Sequence, residues 1–505
     1  MFNLSRRDWL MIIMLSLTLI AASWLFGGML IWSKNILYSL ALGCFLVLFI
    51  PLGNEMNSVV TIKSASVKTN LNILRSFPVF WLGLLLFIYI LLQWSNPSHQ
   101  FYVDRELGAW YLVDHNITPN ENLPTCVDAP YYMGNPKNYL LKWGSAWLLV
   151  CAAWVGIRSQ RMLNFIFVSF AISSLVLAIV AIIQKFQNLP YILWTYPWNH
   201  VGLGSFLYRN HGAAFFNLCL AVNAFLGLYF LKRSILTNKG SSPFFIFFLI
   251  FILFVTAVIL SYSRGGWIIG LFTLLAFLLV SLCFFFAYSN RTKNKKLGLL
   301  LIITIISINI GALQKVEIQE WVKAKFIELV DFTKNSEEIK MDARFSAYQA
   351  TWDMFLDRKL YGWGASSFKV VFPEYLGNYE ALVRKDKKGN YISHWEHAHN
   401  DPLQFLAELG IVGSSILISI FMFFLFNWLI NCKQWDLPSN MLIVAIFGLL
   451  AHSFVDFVFS STSIIYAWVF LLVALSKYLN FRKNKKKVNS KIWFQNKKGS
   501  KNKIS

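Results

Sequence analysis

Cysteine, charge and histidine are all scarce in this chain of 505 residues, and each scarcity excludes something. The six cysteines (44, 126, 151, 219, 283 and 432) include no CxxC pair, so the spacing encodes neither a disulfide framework nor a cysteine-rich zinc site. Charged residues are 14% of the chain against 57% hydrophobic, and a soluble protein this apolar could not cover its surface. Acidic groups are the rarer sign, 24 against 46 Lys and Arg, for a net charge of +22. Residues 314–402 hold 13 basic and 14 acidic residues, which leaves +23 on the other 416. That distribution describes an all-α polytopic membrane protein with one large polar loop, not a string of soluble domains. No internal repeat is present, and the only biased tract is a basic C-terminal tail.

A helix needs about 20 apolar residues to cross a hydrocarbon core. Twelve stretches meet or approach that length, near 9–31, 36–52, 77–94, 142–157, 162–183, 212–231, 243–262, 265–288, 297–313, 405–430, 439–457 and 462–478. They are uniformly apolar rather than alternating, which favours helices over a lipid-facing barrel. The first starts too late and runs too long for a cleaved signal, so it is expected to remain as a span. The expected organisation is spans one to nine in 1–313, a loop domain in 314–402, spans ten to twelve in 403–480 and a tail in 481–505.

Lys and Arg in short loops mark the cytoplasmic side. With the N-terminus inside, the cytoplasmic segments hold fifteen of them, while the short outer loops hold only Lys34, Lys185, Arg209 and Arg264. Both termini then lie inside. The tail from Phe481 carries ten Lys or Arg and no acid, which suits an anionic inner leaflet rather than nucleic acid. Residues 95–141 and 314–402 face outward and hold most of the histidines, with His211 at the outer edge of a span. Imidazole chemistry therefore belongs on the outer side.

The large loop reads as folded. Ile318, Val322, Phe326, Leu329 and Val330 share one helical face, suited to the leaflet surface or to the loop's own core. Phe345, Tyr348, Trp352 and Phe355 predict a second helix from Asp342 to about Arg358, stopped by Gly362 and Gly364. Arg384 to Asn390 reads as an exposed turn. The run His394-Trp395-Glu396-His397-Ala398-His399-Asn400-Asp401-Pro402 ends in a proline fit for a first helical turn. His399 thus sits beside a helix N-terminus, whose partial positive charge favours the neutral imidazole that a general base requires.

His399-Asn400, nine residues, Gly410, two residues and Gly413 resemble the HNx9GxxG signature of bacterial O-antigen ligases and the related O-antigen polymerases. The family pattern continues with Thr-x-Gly, where this chain has Ser414-Ser415-Ile416. Three further stretches are similar to that superfamily: Tyr208-Arg209-Asn210-His211-Gly212-Ala213, Ser261-Tyr262-Ser263-Arg264-Gly265-Gly266, and Arg344 through Trp363-Gly364. Together the likeness spans roughly residues 200–460. It implies a metal-independent, cofactor-free glycosyltransferase of the GT-C fold in the bacterial inner membrane. Such an enzyme takes a glycan from undecaprenyl pyrophosphate at the periplasmic face and transfers it to an acceptor hydroxyl with inversion. Lipid A–core is the ligase acceptor; polymerases and protein O-oligosaccharyltransferases differ only in acceptor.

The residues by themselves suit that chemistry. A departing diphosphate gains charge, and arginine stays charged and forks onto phosphate oxygens. Arg264 lies in a very short connection between spans, beside two glycines that allow close backbone approach; a snorkelling interfacial arginine is the other reading. Arg209 and Arg344 are the further phosphate or glycan ligands, and each also fits an ordinary interfacial or surface role. His399 is the candidate base. His397 and Glu396 either orient it or are neighbours, and a divalent metal on His397 and His399 has no matching motif. Asn400 is a binding residue or the helix cap. His452 and Asp456 fall on one face of the eleventh span, where Asp456 could hold an arginine or orient the loop. Trp352, Trp363 and Trp395 are as apt to pack as to stack on sugar.

Two rival classes remain. A transporter or glycan flippase would show repeated halves and charges at mid-span, whereas here the candidate charges gather at one boundary. A non-enzymatic scaffold leaves the His/Arg pattern without a purpose.

Overall fold

The computed structural model describes residues 4–51, 67–104, 109–120, 122–187, 189–198, 202–237, 243–288, 343–383 and 395–501, with the side chains of 109–110 and 486–501 excepted. The helices are α1 (Arg6–Trp24), α2 (Ile31–Leu46), α3 (Val67–Arg75), α4 (Pro78–Trp94), α5 (Pro136–Gly156), α6 (Gln160–Gln187), α7 (Arg209–Thr237), α8 (Phe244–Leu260), α9 (Arg264–Tyr288), α10 (Ala343–Asp357), α11 (Asp401–Ile430), α12 (Ser439–Ser453) and α13 (Thr462–Lys501). Among the described residues, eight helices are long and apolar enough to cross a membrane, or nine if α3 and α4, bent by 71°, form one span. α8 and α12 are shorter apolar helices. The chain is an all-α polytopic membrane protein. Eleven of the twelve expected spans coincide with a helix, and the expected span 297–313 lies outside the described residues, as do the helix around Ile318–Val330 and the turn 384–390.

Burial separates core helices from lipid-facing ones. Every residue of α7 from Asn210 to Leu228 is buried, because α6, α8, α9, α12 and α13 all pack against it. In α9, by contrast, Ile268, Leu271, Phe272, Leu275 and Leu279 are more than half exposed on one face, as a helix bordering lipid requires.

Three of the boundaries that differ from expectation change how the chain runs. α1 ends at Trp24 rather than near 31, because Phe26, Gly27 and Gly28 all take left-handed φ of 54–67° and turn the chain. α12 ends at Ser453, so Asp456 lies in the turn beyond it and not on the helical face with His452. α13 runs without a break from Thr462 to Lys501, so the last span and the start of the basic tail are one helix.

Described residues of the polar segments 95–141 and 314–402, expected as separate loops, share one small core. Pro97–Asp104 (β1) pairs antiparallel with Ala109–Asp114 (β2) and parallel with Cys126–Asp128 (β3), in the order β2-β1-β3. These strands are rich in Phe, Tyr, Trp and Val, the residues that suit a pleated surface. Val127 and Ala129 share a core with Ala347, Ala350, Met354 and Phe355 of α10, with Phe101 and Leu112 packed on it. Arg358 ties the two segments: it donates to Ser98 Oγ (3.1 Å) and Thr125 Oγ1 (2.9 Å) and lies 4.2 Å over the Trp363 ring. Burial lowers its pKa, and burial, followed by the Arg358 charge, lowers that of His99 alongside.

Candidate functional site

The glycine pattern after His399 builds the junction between this small core and the membrane helices. α11 is interrupted at Gly410, whose φ of 64° and ψ of −170° leave the helical region. The segment after α10 runs into the break. Ile411 N donates to Lys359 O (2.8 Å), Val412 N to Leu360 O (3.1 Å), Trp363 N to Ala407 O (3.0 Å) and Gly364 N to Glu408 O (2.9 Å). Tyr89 OH, from α4, donates to the freed Leu409 O at 2.7 Å and to Tyr361 O at 2.9 Å. A Cβ on Gly410 would stand 2.4 Å from Leu360 O, and one on Gly413 would stand 2.7 Å from the Tyr89 ring. The backbone needs both glycines for close approach, and Gly410 also for its positive φ.

Asn400 caps α11: its side-chain oxygen accepts from Leu403 N at 3.1 Å, and Pro402 occupies the first turn. The expected second loop helix is α10, and its Tyr348 OH donates to His399 O at 3.0 Å. His399 is held at a φ of 54°, a left-handed conformation that a non-glycine residue keeps only when its surroundings impose it. Its ring lies edge-on to Phe457 (4.8 Å, 79°) and to Trp395 (5.8 Å, 85°).

His399 Nδ1 lies 3.3 Å from Asp456 Oδ1, with the carboxylate 3% exposed and the imidazole 20%. Asp456 also accepts from Phe457 N at 2.9 Å and from Asn210 Nδ2. Burial on its own would raise the Asp456 carboxyl. The hydrogen bond from His399 and the charges of His452, His399 and His211 outweigh burial and bring it down to about 2. A carboxylate can only accept, so Nδ1 carries the hydrogen and the Nε2 lone pair is the free one. Asp456, expected either to hold an arginine or to orient the loop, is the partner of the His399 ring.

His397 and Glu396 do not orient it. Glu396 pairs with Lys369 at 2.7 Å, and the His397 ring stacks on Phe457 at 4.4 Å and 16°. Burial, reinforced by the charge of Lys142, lowers His397 to about 3 and keeps it neutral. His211 Nε2 lies 3.1 Å from both Phe457 O and Ser460 Oγ and fixes the turn that carries Asp456. Asp401 Oδ2 accepts from Phe459 N (2.9 Å) in the same turn.

The three arginines reach this neighbourhood from separate elements. Arg264 is the first residue of α9 and is exposed. Its helix end is set by Ser263, whose Oγ accepts from Gly266 N at 3.1 Å. A Cβ on Gly265 would stand 2.7 Å from His452 Nε2 and 3.5 Å from Val455, and one on Gly266 would stand 2.5 Å from Ala213. The two glycines therefore let the arginine-bearing end of α9 press against α12 and α7. Arg344 Nη1 lies 3.4 Å from Val455 O. Arg209 opens α7 beside Tyr208, whose ring stacks on Phe457 (5.0 Å, 25°). Burial and then the Asp456 charge push the Tyr208 hydroxyl up to about 12, against the pull of Arg344 and Arg209. The segment 452–457 is thus the common meeting point of His399, Arg344 and the end of α9.

Lys185, counted in the sequence only as an outer-loop charge, belongs to the same end. Its Nζ sits 4.7 Å over the Tyr262 ring, and it is near enough to Arg209 to feel its charge. Trp363 and Trp395, weighed as sugar platforms, pack instead: Trp363 Nε1 donates to Met354 O at 2.8 Å, and Trp395 stands against Phe372 and His399. Trp352 is 47% exposed.

No curated protein matches the chain. Residues 249–418 match the family model described as O-antigen ligase, a stretch that includes Arg264, Arg344, His397, His399, Asn400, Gly410 and Gly413 and leaves Arg209 and Asp456 outside. The part of this membrane protein that supplies the histidine and two of the three arginines is the part that resembles the O-antigen ligase family.

Proposed function

We propose that this protein is a membrane glycosyltransferase that moves a glycan from undecaprenyl pyrophosphate to an acceptor hydroxyl. The observation that carries the proposal is the His399–Asp456 pair, set against a segment that the arginine-bearing helix ends also touch. In this reading His399 Nε2 takes the proton of the acceptor hydroxyl as its oxygen attacks the anomeric carbon. The bond from that carbon to the diphosphate oxygen breaks, and its electron pair leaves on the diphosphate. Arg264, Arg209 and Arg344 take up the developing charge in place of a metal ion. Asp456 holds the imidazole in the right tautomer and stabilises the imidazolium, which then gives its proton to water. One displacement inverts the anomeric centre.

The charge distribution of the short loops supports cytoplasmic termini with the site on the opposite face, and the family likeness implies the periplasmic face of a bacterial inner membrane. Lipid A–core is the favoured acceptor. The Ser414-Ser415-Ile416 departure keeps a second reading in play, polymerisation of lipid-linked repeats.

Product analysis after gene deletion separates the readings. Unattached long chains on the carrier indicate the ligase, and accumulated single repeats indicate the polymerase. In a reconstituted assay, His399→Ala is expected to lose about 10²–10⁴-fold in transfer while still inserting. Wild-type rates in that variant would overturn the base assignment. Arg264→Lys is expected to lose most activity, since a point charge cannot reproduce the fork. Glycan crossing vesicles with no new glycosidic bond would make the protein a transporter.

A further inference from the structure

The left-handed backbone at His399 must be imposed from both sides. Tyr348 holds the carbonyl that follows the ring. The residue before it is held by a chain that leads into α11. Ala398 N donates to Gln404 Oε1 at 3.2 Å, and Gln404 Nε2 donates to Glu408 Oε1 at 3.0 Å. Glu408 also accepts from Phe368 N at 3.3 Å and, on its other oxygen, from Ser366 N at 3.2 Å. Ser366 is itself left-handed, with a φ of 68°. Gln404 and Glu408 are 8% and 2% exposed, one turn apart on the first part of a membrane helix. A carboxylate is an expensive group to bury there, and an apolar residue would pack the same space without that cost.

We infer that Gln404 and Glu408 are positioning residues for His399. Three N–H donors fix the Glu408 carboxylate. The carboxylate fixes the Gln404 amide, and the amide oxygen fixes the peptide that sets the direction of the imidazole. Nδ1 then faces Asp456, and Nε2 stays open to the acceptor. Neither residue touches the reacting atoms; both act through the backbone of residues 398–399. The inference rests on reading His399 as the base.

The test uses the full-length protein in lipid nanodiscs with an undecaprenyl-pyrophosphate-linked glycan and its acceptor. Gln404→Met keeps the length of the side chain and removes the acceptor. It is expected to lower kcat about tenfold or more, because displacement of a catalytic group by about an ångström is enough for that, with donor KM and melting temperature little changed. Glu408→Gln should lose less. The paired change Gln404→Glu with Glu408→Gln reverses the link yet keeps an acceptor facing Ala398 N, and it should recover most of the rate. In an Asp456→Asn background, Gln404→Met should cost much less than in the wild type, because both act on the same ring.

A kcat loss that follows the loss of folded protein, with donor KM rising in step, would show a purely structural network and overturn the inference. So would unchanged kcat in Gln404→Met, or full additivity with Asp456→Asn. Wild-type turnover by His399→Ala would instead remove the base assignment on which the inference rests, so the two failures are distinguishable.

Discussion

Two aspartates with little-exposed side chains sit in the turns at opposite ends of α12. Asp436 accepts from Lys232 Nζ at 2.7 Å, Arg482 Nη1 at 2.6 Å and Tyr478 OH at 3.0 Å. Asp456 accepts from an asparagine amide, a backbone N–H and the His399 imidazole. The first carboxylate is neutralised by cations that never lose their charge near neutral pH, and it fastens α7 and α13 to the turn. The second lies among three imidazoles, and the one hydrogen-bonded to it is His399. Its charge is therefore available to a proton that arrives on that partner. Both carboxylates are well satisfied, yet in the proposed mechanism only Asp456 takes part, because its partner is an imidazole rather than an ammonium or a guanidinium.

That contrast can be broken from either side. The largest effect is expected for Asp456→Asn. The amide can present its NH₂ to Nδ1 and leave the hydrogen on Nε2, so transfer should fall by about 10²–10⁴-fold while the fold persists. Steady-state rates on purified protein check this, and a loss smaller than tenfold would remove Asp456 from the mechanism. Because that carboxyl is held down to about 2, it stays ionised across the working range.

Asp436→Asn should do the opposite. Removing the carboxylate leaves Lys232 and Arg482 partly buried without their partner, a change that costs about 3–5 kcal/mol in other buried pairs. Thermal unfolding should record the loss, with the rate per folded molecule unchanged. A variant that melts normally but transfers poorly would contradict the comparison.

The smallest effect concerns His397. Its folded pKa is lowered from 6.5 to about 3 by burial and by Lys142. Between those values the unfolded chain binds the proton and the folded one does not, so this group's contribution is full above about 6.5 and fades as pH falls toward 3. The wild-type melting temperature should drop between about pH 7 and about pH 5, and His397→Gln should drop less. Equal slopes in the two proteins would show that His397 is not the group responsible.

Much of the architecture is legible without a fold. Span positions follow from apolar runs, α10 follows from Phe345, Tyr348, Trp352 and Phe355, and the start of α11 follows from Asn400 and Pro402. Each of these is local, since burial of a run or a cap depends on residues within a few positions of one another. The small sheet was foreseeable from the aromatic and β-branched residues of 99–113, but its pairing with α10 was not, because those segments are more than 200 positions apart.

The same division holds at the site. Composition and hydropathy were enough to specify a membrane protein, and the spacing of His399, Gly410 and Gly413 to point to the family that matches, because those properties are written along the chain. The partner of His399 was another matter. Glu396 and His397 are its neighbours in sequence, yet Asp456, 57 positions away, receives its hydrogen bond, and Lys185 meets the Tyr262 ring, 77 positions on, between two helices. Hydrogen bonds and ion pairs act over a few ångströms, and which groups come that close is fixed by how α7, α9, α11 and α12 pack, including the glycines that let them touch.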